Sequence, residues 1–133
     1  MSGIVFLAPS REATAINFLK KMHKGKTQVH INLWNDWSSP YERTLQKLFS
    51  PLGEMILLNF DNSDAIFESR RILREREYDS VVLHGGDVNT IKQKIIDYGI
   101  DYYINWVAEN SILFASQNAV NVLMGLGIVP TFR

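Results

Sequence analysis

Short apolar runs alternate along this chain with segments in which hydrophobic residues recur at helical spacing. Ile4 to Ala8 predicts a first strand, and Pro9-Ser10 turns it into a helix, capped by Ser10, whose Ile16, Leu19 and Met22 share a face. Val29, Ile31 and Leu33 alternate with His30, Asn32 and Trp34, which predicts a second strand with one less apolar face, near an edge or the functional side of the sheet. Ser39, Pro40 and Glu42 spell a capping box. The helix they open lines Tyr41, Leu45, Leu48 and Phe49 on one side and ends at Pro51 and Gly53. Met55 to Phe60 then reads as a strand, Asp64 to Glu77 as a charged helix, and Asp79 to His84 as a strand. Asn89 to Tyr98 is a helix closed by Gly99, a further helical piece runs from about Asp101 to Asn110, and Ser111 to Ala115 is the fifth strand. Gln117 to Met124 is helical until Gly125 and Gly127 break it before the apolar Ile128-Val129-Pro130. Such alternation predicts an α/β three-layer sandwich with a mostly parallel sheet.

Composition narrows the chemistry. The 133 residues suit one domain, 1–133, with an ordinary core, and 46% hydrophobic content describes a soluble globular protein. The 14 basic and 14 acidic side chains balance, so no nucleic-acid partner is expected. The chain has no cysteine, which removes disulfides, thiolate catalysis and cysteine-based metal sites. The apolar run Ile4 to Ala8 is too short for a signal peptide or a membrane span, so no membrane partner is expected and the cytoplasm is the default location. Asp36, Asp61, Asp64 and Asp87 lie near strand ends without metal-ligand spacing, so neither a metal nor a cofactor is expected.

Parallel sheets carry ligands at the carboxyl ends of their strands. Attention therefore falls on Pro9 to Thr14, Asn35 to Ser39, His84 to Asn89, and Ser116. Ser116 stands where a buried strand gives way at once to a helix, the sharp turn with which many hydrolases present a nucleophile. Its flanks, Phe114 and Asn118, are larger than the glycines of the usual G-x-S-x-G elbow. The pair Gly85-Gly86 follows a buried strand, either as a simple turn or as a source of backbone N–H groups for an oxyanion hole shared with Gln117. His84 is the histidine nearest this site, with Asp87 close behind it to orient a ring; the alternative is a structural histidine at a strand end. Trp34 and Trp37 flank Asn35-Asp36 and either stack on a flat ligand or close the core. Ser10 and Thr14 either cap a helix or hold a phosphate.

The order of these segments resembles the peptidase E family of serine peptidases. VVLHGGDVNTIKQKI (Val81 to Ile95) is similar to the family's Gly-Gly-Asn-Thr loop, ILFASQNAVNVL (Ile112 to Leu123) to its Ser-Ala-Gly-Ala elbow, FLKKMHKGKTQVHINLW (Phe18 to Trp34) to an upstream helix and strand, and MGLGIVP (Met124 to Pro130) to the segment before its catalytic histidine. The resemblance implies a flavodoxin-like or class I glutamine amidotransferase-like fold and a peptidase of short peptides. It makes Ser116 the nucleophile, and Gly85 or Gly86 with Gln117 the oxyanion hole. Asp87-Val88 stand inserted before Asn89-Thr90, and no His, Asp or Glu follows Ser116 in the sequence, where the family carries its histidine and acid. The expected base is then His84, activity is weak or lost, and the chain is shortened relative to the family. A hydroxyl without a base is a weak nucleophile. Two other expectations stand beside this one: a non-catalytic binding or assembly module, with a homodimer covering Ile128 and Val129, and a small phosphate or flavin binder using Ser10, Thr14, Asp87 and Asn89.

Overall fold

A computed structural model describes residues 3–7 by their backbone and residues 26–116 and 118–128 with their side chains. The predicted loop with Ser10 and Thr14, the helix carrying Ile16, Leu19 and Met22, Gln117, and Val129 onward lie outside the described residues. The described strands are β1 (Gly3–Leu7), β2 (Gln28–Ile31), β3 (Met55–Leu57), β4 (Ser80–Leu83) and β5 (Ile112–Ser116). The described helices are α1 (Pro40–Phe49), α2 (Ser63–Glu75), α3 (Val88–Asp97), α4 (Asp101–Asn110) and α5 (Ala119–Gly125), and a 3-10 turn at Ser50–Leu52 follows α1. The chain is α/β, as its alternating pattern predicts.

The five strands form one sheet in the order β1-β5-β4-β2-β3, and every pairing is parallel. Among the described strands β1 is the edge, whereas the first strand of a flavodoxin-like sheet lies inside. The chain leaves β2 toward β3 in one direction and leaves β4 toward β5 in the other. Right-handed crossovers therefore place α1 on one face and α2, α3 and α4 on the opposite face. The packing agrees: Leu45 and Phe49 of α1 cluster with Val82, Ile112 and Phe114, whereas Leu73, Ile91, Ile95, Ile104 and Val107 cluster with Val29, Ile31, Val81, Leu83 and Leu113. The direction reverses between β2 and β4, and the crevice outside their carboxyl ends is the place where such sheets bind ligands.

Several boundaries move for local reasons. The second strand stops at Ile31 rather than Trp34 because the Asn32 side chain turns the chain, its Oδ1 accepting from the N–H groups of Trp34 (3.0 Å) and Asn35 (3.1 Å). Nor is β2 an edge, since it lies between β4 and β3 with all four residues buried. Helix α2 starts one residue early because Asn62 caps it, accepting from Ala65 N–H at 2.9 Å, and it stops at Arg76, whose φ of 59° is left-handed. The capping box of α1 is not made: Ser39 forms no side-chain cap, and Glu42 is fully buried against the sheet. Ser116 is the last residue of β5 rather than the first beyond it.

Candidate functional site

The face of the sheet beneath α1 is unusual in what it buries. Gln28 and His30 on β2, Ser80 on β4, His84 just past it, and Ser116 on β5 are all buried polar residues, and α1 adds Glu42. Period-2 alternation makes this inevitable once Val29, Ile31, Val81 and Leu83 face the other side. Burial of so many polar groups is tolerable only if they satisfy one another.

Four of them, Gln28, His30, His84 and Glu42, do so in a directed chain, which leaves Glu42 Oε1 buried without a partner among the described residues. The Gln28 amide donates from Nε2 to the Phe49 carbonyl at 3.1 Å, so its Oε1 faces His30 Nε2 at 3.2 Å. A flipped amide would set two acceptors against each other at Phe49, so the assignment is unique. His30 Nε2 therefore carries a hydrogen, and in the neutral ring Nδ1 is an acceptor, here for the His84 Nε2–H at 2.8 Å. His84 Nδ1 meets Glu42 Oε2 in a short hydrogen bond, and the pair shares one proton. Burial decides where it sits: it pushes Glu42 up to about 7 and His84 down to about 3. Burial, and then the nearby His84, also hold His30 well below its ordinary value. Below about pH 7 Glu42 is thus a neutral acid donating to a neutral imidazole, and the hydrogen bonds run from Glu42 through His84, His30 and Gln28 to Phe49. Rings pack around the chain, with His30 edge-on to Phe49 (5.1 Å) and Trp37 edge-on to His84 (5.3 Å).

Ser116 sits beside this chain but outside it. The pairing of Leu83 with Ala115 puts His84 and Ser116 at neighbouring positions. The hydroxyl accepts from the Gly85 N–H at 3.2 Å and from the Tyr41 hydroxyl at 3.0 Å, and it donates to the Leu83 carbonyl at 3.4 Å. It is fully buried. The second glycine is engaged as well: Gly86 N–H donates to Asn118 Oδ1 at 2.9 Å, and Asn118 Nδ2 donates back to the Gly86 carbonyl at 2.6 Å. The structure brings the glycine loop and Ser116 together. It does not bring His84 to Ser116, because both ring nitrogens are taken by Glu42 and His30.

Asp87 has a different task from the one expected of it. It caps α3, its Oδ2 accepting from Thr90 N–H (2.9 Å) and Thr90 Oγ1–H (2.6 Å), and these bonds hold its carboxyl below the usual range. The residue that orients His84 is Glu42. A signal for it existed, because Glu42, Leu45 and Phe49 follow the i, i+3, i+7 spacing of a buried stripe. Asn89 lies exposed in the first turn of α3.

The two tryptophans divide the alternatives open for them. Trp37 closes the core, its Nε1–H donating to the Leu58 carbonyl at 3.2 Å. Trp34 is 46% exposed, and its near edge packs on Gly86 so closely that a Cβ there would lie 2.3 Å from Trp34 Cγ. Both line a cavity of about 420 Å³ at the carboxyl ends of β2 and β3, whose far walls include Asn59, Asp61, Lys94 and Tyr98. The Lys94 ammonium braces the mouth by donating to the Leu33 carbonyl at 2.9 Å. Among the described residues no group of three or more His, Asp or Glu is placed to hold a metal ion, and no helix is long and apolar enough to cross a membrane. Compared with known proteins, the chain matches no protein-family model and no curated protein.

Proposed function

We propose that this chain is a non-catalytic module that binds a small molecule on a hydrolase-like α/β frame. One observation carries the reading: the Ser116 hydroxyl is buried and held by Gly85, Tyr41 and Leu83, while His84, the residue expected as its base, is committed on both nitrogens to Glu42 and His30. A nucleophile needs a base within hydrogen-bond reach and an open side for the substrate carbonyl. Activation here would require His84 to leave two buried partners, stranding Glu42 and His30. The cavity beside the site supplies what binding needs, a concave space of the size of small-molecule sites.

A second reading, a serine peptidase of the peptidase E type, rests on the Gly85 N–H at the Ser116 hydroxyl, an oxyanion-hole donor already in place beside an elbow serine. Intact-mass analysis after exposure to a serine-directed phosphonate separates the two. The module reading expects no adduct. An adduct on the wild type that is absent from Ser116→Ala would overturn it in favour of the peptidase. A phosphate or flavin site built on Ser10 and Thr14 falls outside the described residues.

A further inference from the structure

Some polar groups around the cavity are used by the protein itself. Asn32 turns the β2–α1 loop, Lys94 braces Leu33, and Trp37 holds Leu58. Two carboxylates remain, among neutral polar groups that can donate as well as accept. Asp36 from one loop and Asp61 from the facing loop line the cavity, and among the described residues neither carboxylate has a hydrogen-bond or ion-pair partner. Asn59 accepts from Asp61 N–H at 2.8 Å and keeps its amide donors free among the described residues. Trp34 adds a large exposed indole whose inner edge is pinned by Gly86.

Two carboxylates against one ammonium disfavour an anion, so phosphorylated ligands are expected to bind more weakly than neutral ones. A ligand that complements these walls has many hydroxyl donors, no negative charge and one apolar face. A cavity of about 420 Å³ admits a single small molecule of that kind. We infer that the cavity between the β2–α1 and β3–α2 loops is a site for a neutral monosaccharide, whose hydroxyls donate to Asp36 and Asp61 and whose C–H face lies on Trp34.

This inference rests on the binding-module reading and is tested separately from it. Glucose, galactose, mannose and N-acetylglucosamine are titrated into the wild-type chain, with glucose 6-phosphate and adenosine alongside, using tryptophan fluorescence and saturation-transfer NMR. At least one of the four neutral sugars is expected to bind. Asp36→Asn, Asp61→Asn and Trp34→Ala are each expected to weaken it by about tenfold or more, with thermal unfolding confirming that the variants remain folded. Glucose 6-phosphate is expected to bind more weakly than glucose. Binding of none of the four sugars overturns the inference, as does binding that the three folded variants leave unchanged. Adenosine binding without sugar binding overturns the monosaccharide and leaves the module reading standing. The module reading itself falls only to phosphonate labelling of Ser116.

Discussion

The two faces of the sheet solve the burial problem in opposite ways. Toward α2, α3 and α4 the strands present Val29, Ile31, Val81, Leu83, Leu113 and Ala115, an apolar layer held by non-directional packing. Toward α1 the same strands present Gln28, His30, Ser80, His84 and Ser116 among Val82, Ile112 and Phe114. There cohesion depends on directed hydrogen bonds that must all point the right way. The apolar face tolerates any residue of the right size and shape, and the polar face tolerates only residues that keep each donor matched to an acceptor. The candidate chemistry lies on the second face, and so does the reason that Ser116 is sequestered.

Cutting into the apolar face is expected to cost most. Leu83→Ala and Leu113→Ala, both at fully buried positions, are expected to lose about 2–5 kcal/mol each in urea unfolding, since each removes packing and leaves a cavity.

Acid attacks the other face. Glu42 is raised to about 7 from 4.5, so its contribution is full below pH 4.5 and gone by about pH 7. His84, lowered to about 3 from 6.5, and His30, lowered well below 6.5, contribute fully above pH 6.5 and lose that contribution as pH falls. Between pH 4.5 and 6.5 the unfolded chain takes up two histidine protons that the fold refuses and lacks the one carboxyl proton that the fold keeps. Unfolding therefore binds one net proton, and stability rises with pH by about 1.4 kcal/mol per unit, about 3 kcal/mol across the window. Urea midpoints at pH 4.5, 6.5 and 8 are expected to rise from 4.5 to 6.5 and then hold level, because above 6.5 the unfolded histidines and the folded Glu42 lose their protons together. A curve still climbing from pH 6.5 to 8 would show that Glu42 is not the neutral donor.

Smaller effects sharpen the contrast. Ser116→Ala strands the Gly85 N–H and removes the Tyr41 hydroxyl's acceptor, and it is expected to cost about 1–3 kcal/mol. Glu42→Gln is the most discriminating of the set. A carboxamide N–H replaces the acid hydrogen at His84 Nδ1, so a change within about 1 kcal/mol at pH 6.5 is expected, with stability then continuing to rise toward pH 8 instead of holding level. A loss as large as that of Leu83→Ala would mean that Glu42 works as a buried anion.

Much of the fold was legible because hydrophobic periodicity reports burial directly. Helix α4 lies where its pattern places it, the strands around Val81 and Leu113 differ by one residue at their ends, and an Asn62 cap and an Asx turn at Asn32 move the start of the charged α2 and the end of β2. The neighbourhood of Gly85 and Ser116 was also legible, since consecutive elements of parallel sheets tend to lie side by side. The wiring of the site was not. Glu42 reads locally as a capping residue, and only the approach of α1 to the sheet turns its carboxyl toward His84. Asp87 reads as a partner for His84, yet its own helix claims it through Thr90.

Local patterning by itself determined the element types, the α/β class and the glycine turn before α3, because these follow from burial periodicity and backbone freedom over a few residues. Only the tertiary structure decided the strand order, which places β1 at an edge and the reversal between β2 and β4. It alone decided which of the histidine's neighbours is its partner, and that among the described residues the serine faces Tyr41 and Gly85 rather than a base. Hydrogen-bond partners are chosen by distances of about 3 Å between segments far apart in sequence, and no local pattern carries that information.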